Sequence, residues 1–170
     1  LIFSSKSFKS ISKITFKDIQ ERINFNKNSW KITLFTSGTT GLPKKISHDF
    51  DSISRFVKHD EKRKENIWGF AYNPTHMAGL QVFFQAFLNQ NTIVRLFGVS
   101  RTNCLKLIND FNITNISATP TFYRLLLPPD LICHSLQNLT SGGEKFDSIT
   151  LQKLNHMFPN SRIRNVYAST

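Results

Sequence analysis

From Trp68 onward the chain alternates short runs rich in β-branched and aromatic residues with longer segments of helical composition, and this alternation limits the folds open to it. Trp68-Gly-Phe-Ala-Tyr72 reads as a strand, Met77 to Leu88 as a helix and Asn91-Thr-Ile-Val-Arg-Leu-Phe97 as a strand. Ser100 opens a helix on which Cys104, Leu107, Ile108 and Phe111 fall at i, i+3, i+4 and i+7, so one apolar stripe faces a sheet. Ile113 to Ala118 is strand-like, and Pro120 occupies the first turn of a helix running to Leu127, where Pro128 and Pro129 stop it. Leu136 to Thr140 reads as a strand, Asp147 to Phe158 as a helix and Arg162-Ile-Arg-Asn-Val-Tyr167 as a last strand. Segments of these lengths in this order predict an α/β fold with a mostly parallel sheet flanked by helices.

Ahead of that region, a Ser/Lys-rich lead gives way to Thr15-Phe-Lys-Asp18, which has the form of a capping box and predicts a short helix to about Ile23. Trp30-Lys-Ile-Thr-Leu-Phe-Thr36 alternates large and polar residues as a strand does, and Lys45-Ile-Ser-His48 reads as a short return strand. The stretch from Asp51 to Lys64 has helical composition.

The hydrophobic share, 39 % of 170 residues, is that of a chain with a sizeable core. The 22 basic and 11 acidic residues leave a formal charge of +11, which favours anionic ligands in general. The lysines are scattered among Asn, Ile and Phe, and the densest run, Lys58-His-Asp-Glu-Lys-Arg-Lys-Glu65, mixes both signs as a solvated helix face does. No stacking aromatics are grouped with the basic residues, so nucleic acid is not an expected partner. Cys104 and Cys133 lack metal-ligand spacing and sit among apolar neighbours, as buried free thiols of an intracellular, cytoplasmic protein do. The apolar run from Met77 to Leu88 is too short to cross a bilayer, and Leu-Ile-Phe at the start, quickly followed by Ser and Lys, reads as a cut end rather than a signal peptide.

Between the first strand and its return lies Phe35-Thr-Ser-Gly-Thr-Thr-Gly-Leu-Pro-Lys-Lys45, with four hydroxyls, two glycines and two lysines. Glycines let several N–H groups and hydroxyls approach one anion, and Lys44 adds a mobile positive charge. Gly38 and Lys44 have the separation of the GxxxxGK[ST] phosphate loop, but Pro43 stands where that loop has its second glycine and Lys45 where it has Ser or Thr. Pro43 also removes a donor, which leaves more of the work to side-chain hydroxyls.

The whole string instead resembles the phosphate-binding signature of the adenylate-forming, AMP-binding superfamily, which includes acyl-CoA synthetases and other acyl-acid ligases. Three further segments are similar to that family in the expected order: Pro74-Thr-His-Met-Ala-Gly79, Ser141-Gly-Gly-Glu144 and Arg164-Asn-Val-Tyr-Ala-Ser-Thr170. Ala168 stands in the last where the family has glycine. The resemblance runs from about Phe35 to Thr170 and implies part of a large N-terminal domain, with residues 1–29 as an incomplete lead, 30–170 as a partial AMP-binding domain and the C-terminal domain absent. Family members are much longer, and their magnesium glutamate, ribose-binding aspartate and catalytic lysine would fall after Thr170, so a fragment, inactive alone, is implied.

By the same resemblance Thr36, Ser37, Gly38, Thr39, Thr40, Gly41 and Lys44 hold the ATP phosphates, Thr40 faces magnesium, and Thr40, Lys44 and His76 serve catalysis. Gly142, Gly143, Glu144 and Tyr167 would hold adenine and Thr170 the phosphate side. His76 and Gly142 would lie against the carboxylic acid. The implied reaction forms an acyl-adenylate and then passes the acyl group to coenzyme A or an acyl carrier protein, in settings such as fatty acid metabolism. A truncated, noncatalytic ATP-binding module is the alternative, and it would bind ATP without regard to an acid.

Overall fold

A computed structural model describes residues 14–36, 42–142 and 146–166. Two compact units meet in the chain between Phe56 and Val57. The first holds helix α1 (Phe16–Asn26), strands β1 (Lys31–Thr36) and β2 (Lys44–Asp49), and the short helix α2 (Phe50–Ser54). The Ser/Lys-rich lead lies outside the described residues.

The Thr15 capping box forms as its spacing predicts: the Asp18 N–H donates to Thr15 Oγ1 at 3.2 Å, and the Thr15 N–H donates to Asp18 Oδ2 at 2.7 Å. Helix α1 then runs three residues past Ile23. Strands β1 and β2 pair antiparallel from Lys31 opposite Asp49 to Thr36 opposite Lys44. Asp49 caps α2 through the Ser52 N–H at 2.7 Å, and Trp30 meets Phe50 edge to face with ring centres 6.1 Å apart.

The expected helix from Asp51 to Lys64 is not formed: α2 ends at Ser54, and a 3-10 turn follows at Glu61–Arg63. Distant side chains take the backbone instead. Lys58 donates its N–H to Gln85 Oε1 at 2.9 Å, while its carbonyl accepts from the side chains of Gln85 at 3.0 Å and Asn89 at 3.1 Å. These bonds satisfy polar groups that a continued helix would have paired internally.

The second unit is a parallel sheet with its helices. It comprises β3 (Ile67–Phe70), α3 (Met77–Leu88), β4 (Thr92–Arg95), α4 (Arg101–Asp110), β5 (Asn115–Ala118), α5 (Pro120–Leu126), β6 (Asn138–Gly142), α6 (Ser148–Met157) and β7 (Arg162–Val166). The strands lie in the order β4-β3-β5-β6-β7, every neighbouring pair parallel. The order reverses at β3, so right-handed crossovers carry α3 over one face and α4, α5 and α6 over the other. The main core agrees: Cys104, Leu105 and Ile108 of α4, Tyr123 and Leu126 of α5, and Leu154 and Met157 of α6 bury together on Ile116, Ala118 and Leu139. Burial raises the thiol pKa of both Cys104 and Cys133, neither of which is disulfide-bonded.

Gly69, in β3, faces this core. A Cβ built on it would stand 2.7 Å from Leu96 Cδ1 and 2.8 Å from Ile116 Cγ1. Both obstacles are buried side-chain atoms rather than main chain, so Gly69→Ala is expected to lower unfolding stability by about 2 kcal/mol through strain where the core repacks, read as a smaller urea midpoint at unchanged slope.

Candidate functional site

The hydroxyl-rich string lies in the chain between two antiparallel strands, β1 and β2. Its first described flank, Thr36, ends β1, and its last, Lys44, opens β2 as the cross-strand partner of Thr36. A phosphate loop of the Walker kind runs from a strand into a helix and uses that helix's N-terminus. Here an antiparallel strand follows, so positive charge must come from side chains. The register separates the two lysines: Lys44 shares a strand face with Ile46 and His48 and stands opposite the β1 row that includes buried Leu34, whereas Lys45 pairs with exposed Phe35 on the other face. Of the string, Ser37, Gly38, Thr39, Thr40 and Gly41 lie outside the described residues.

In the second unit the carboxyl ends of β3, β5, β6 and β7 share one edge of the sheet, and the switch in strand order falls between β3 and β5. Open parallel sheets bind ligands at that edge beside the switch. Segment 74–79 follows β3, Gly142 ends β6, and Val166 is the cross-strand partner of Gly142 at the end of β7. Gly143, Glu144, Tyr167 and Thr170, expected to complete these segments, lie outside the described residues.

After β3 the chain folds back on α3. Asn73 Oδ1 accepts from the Thr75 N–H at 3.0 Å and from the Thr75 hydroxyl at 2.9 Å, and the His76 N–H donates to the Asn73 carbonyl at 3.2 Å. His76 is then the N-cap of α3, exposed and making no side-chain capping bond. The turn closes over Gly79, where a Cβ would stand 2.2 Å from the Asn73 carbonyl oxygen.

Two tyrosines lie near this edge. Tyr123 is fully buried, its hydroxyl 3.0 Å from the Ile116 carbonyl oxygen and 2.9 Å from that of Thr140, so it joins β5 to β6. Burial, with the neighbouring Tyr72 adding to it, pushes its pKa well above the ordinary tyrosine value. Tyr72 is partly buried, which raises its pKa too, and its hydroxyl stands 3.0 Å from where a Cβ on Gly142 would lie. Both are therefore neutral hydroxyls at neutral pH.

The sequence pattern of the AMP-binding enzyme family matches residues 5–170. The chain belongs to that family. The D-alanine–D-alanyl carrier protein ligase of Streptococcus agalactiae serotype V is 30 % identical over 154 residues, which is 81 % of this chain and 29 % of the ligase. Among solved structures, the O-succinylbenzoate coenzyme A synthetase of Bacillus subtilis, in complex with ATP and magnesium ion, is 25 % identical with a TM-score of 0.66 over 80 % of this chain and 29 % of that one. A luciferase-like enzyme from the mealworm Zophobas morio is also 25 % identical, with a TM-score of 0.67 over 81 % of this chain and 34 % of that one. The chain thus spans about a third or less of the length of these AMP-binding relatives.

Within the AMP-binding fold, the parallel register brings the carriers of three of the four signature segments to one edge, while Lys44 sits on the hairpin. Tyr72 is the residue that motif reading missed. Its place two residues before segment 74–79 was visible, but its neighbour Gly142 on β6 lies far along the chain. Among the described residues no group of three His, Cys, Asp or Glu is gathered to hold a metal ion, and no helix is long and apolar enough to cross a membrane.

Proposed function

We propose that the natural protein carrying this chain activates a carboxylic acid with ATP and then transfers the acyl group to a thiol, of coenzyme A or of a carrier protein. The observation that supports this most is the shared carboxyl edge, on which segment 74–79 follows β3 next to the switch in strand order and Gly142 pairs with Val166 at the ends of β6 and β7. In the first step an oxygen of the carboxylate bonds to the α-phosphorus of ATP, and the bond from that phosphorus to the bridging oxygen breaks, releasing pyrophosphate. Charge on the phosphoryl oxygens is met by fixed donors and cations, the larger part of catalysis in such transfers. Thr36, Ser37, Gly38, Thr39, Thr40, Gly41 and Lys44 take the departing phosphates. Gly142, Gly143, Glu144 and Tyr167 take adenine, Thr170 the phosphate side, and His76 with Gly142 the acid.

Magnesium enters as the counter-ion of ATP, and Thr40 is the residue assigned to it; among the described residues no group of three His, Cys, Asp or Glu is gathered to hold the ion by itself. The assignment extends to a cytoplasmic enzyme with roles such as fatty acid activation. The 29 % of a full ligase spanned here is assigned binding but no turnover of its own.

The test is exchange of labelled pyrophosphate into ATP by the full gene product over a broad panel of acids. Exchange that depends on one acid or a related set is expected. An ATP-binding protein with no exchange for any acid would instead be the noncatalytic module.

A further inference from the structure

The two faces of the parallel sheet differ in chemistry. Side chains alternate between faces along a strand and align across the register, so Ile116 and Leu139 mark the face of the main core, and Ser117 and Thr140 mark the other. On that second face one register row runs from Phe70 through Ser117 and Thr140 to Arg164, across β3, β5, β6 and β7. It is apolar at β3, on which α3 packs, and polar on every strand beyond. The row two residues earlier repeats the pattern with Asn115, Asn138 and Arg162. Inner strands of a parallel sheet are ordinarily apolar on both faces, because helices cover both. An apolar cover over half-buried Ser117 and Thr140 would strip water from their hydroxyls and return no hydrogen bond.

Gly142 follows Thr140 on the same face, at the carboxyl edge, and a Cβ built on it would stand 3.0 Å from the Tyr72 hydroxyl, so a third hydroxyl borders this face. We propose that this polar face is the bed for the body of the acid, and that the acid carries a second polar group, a hydroxyl, an amide or a carboxylate, in place of a plain alkyl chain. The inference rests on the reading of Gly142 as an acid contact, and it narrows the fatty acid assignment to substituted members. A polar group laid over Ser117 and Thr140 replaces the water it displaces, whereas an alkyl chain does not. Exposed Arg164, at the far end of the row, adds positive charge that favours a carboxylate among the three.

The experiment measures exchange of labelled pyrophosphate into ATP by the full gene product with alkanoates of increasing length, each paired with its hydroxy, amide and dicarboxylate counterpart. The best polar acid is expected to exceed its alkanoate by about tenfold in kcat/KM, the worth of one hydrogen bond made in the site. Thr140→Val, which keeps the shape and removes the hydroxyl, is expected to shrink that ratio several-fold, and Ser117→Ala serves as the second variant. A residue of structural importance alone would lower both acids of a pair alike and leave the ratio unchanged. An alkanoate as the best acid, or a ratio that neither variant moves, would overturn the proposal. Failure of every acid to support exchange overturns the activation reading instead, and calorimetric binding of the same pairs in the presence of ATP then decides whether the face prefers the polar member.

Discussion

Gly79→Ala is expected to lower unfolding stability by about 3 kcal/mol and to displace His76, although alanine is the better helix former by roughly 1 kcal/mol. The sign follows from what the new methyl group would meet. Its nearest neighbours are the Asn73 carbonyl oxygen at 2.2 Å, the Asn73 carbonyl carbon at 3.0 Å and Pro74 Cα at 3.2 Å, all main chain. At Gly69 the crowding atoms are side-chain atoms, but here the 73–76 turn itself must move, with the Asn73 to Thr75 and Asn73 to His76 bonds. Denaturant unfolding of the full gene product measures the loss. A stability equal to or above wild type would show that the turn does not close over α3 as described.

Lys44→Ala in the full gene product is expected to lower the rate of pyrophosphate exchange at saturating ATP and acid by about 100-fold, the usual effect of deleting one group that stabilises transition-state charge. Lys45→Ala is expected to change it less than about threefold, since its register puts it on the strand face opposite to that of Lys44. The contrast is the measurement. Equal losses would mean that the hairpin register does not decide which lysine serves the phosphates. Because no helix follows the loop, no helix N-terminus stands in reserve, and Lys44→Arg is expected to recover only part of the rate since a guanidinium distributes its charge over a different geometry.

Local chemistry is what the sequence made readable. The Thr15 and Asp18 pair forms its reciprocal cap, Met77 to Leu88 is helical at both bounds, and Pro120 opens its helix, because each is settled by neighbours within one turn. Ser100 lies at the N-cap of α4 as expected, but its hydroxyl makes no capping bond. Leu105 is buried beside the predicted stripe because α4 meets more than one neighbour. The reading of 51–64 as helix failed where Gln85 and Asn89 claim the Lys58 backbone, an interaction spanning more than two dozen residues. The signature segments were visible as strings, yet the reason for Gly79 comes from a close approach of the Asn73 main chain that no string contains.

The same strand order bears on how the chain is made. Strand β5 belongs between β3 and β6, but it is synthesised only after α3, β4 and α4 have left the ribosome. At ordinary elongation rates, the roughly 45 residues between β3 and β5 leave one side of Ile67–Phe70 without its partner for about 2–9 s, and β7 comes later still. Slow synthesis through 71–114 therefore lengthens the interval in which a nascent chain could pair with another, and faster translation or a chaperone acting over that interval should raise the yield of folded protein more than either would after β7 is complete.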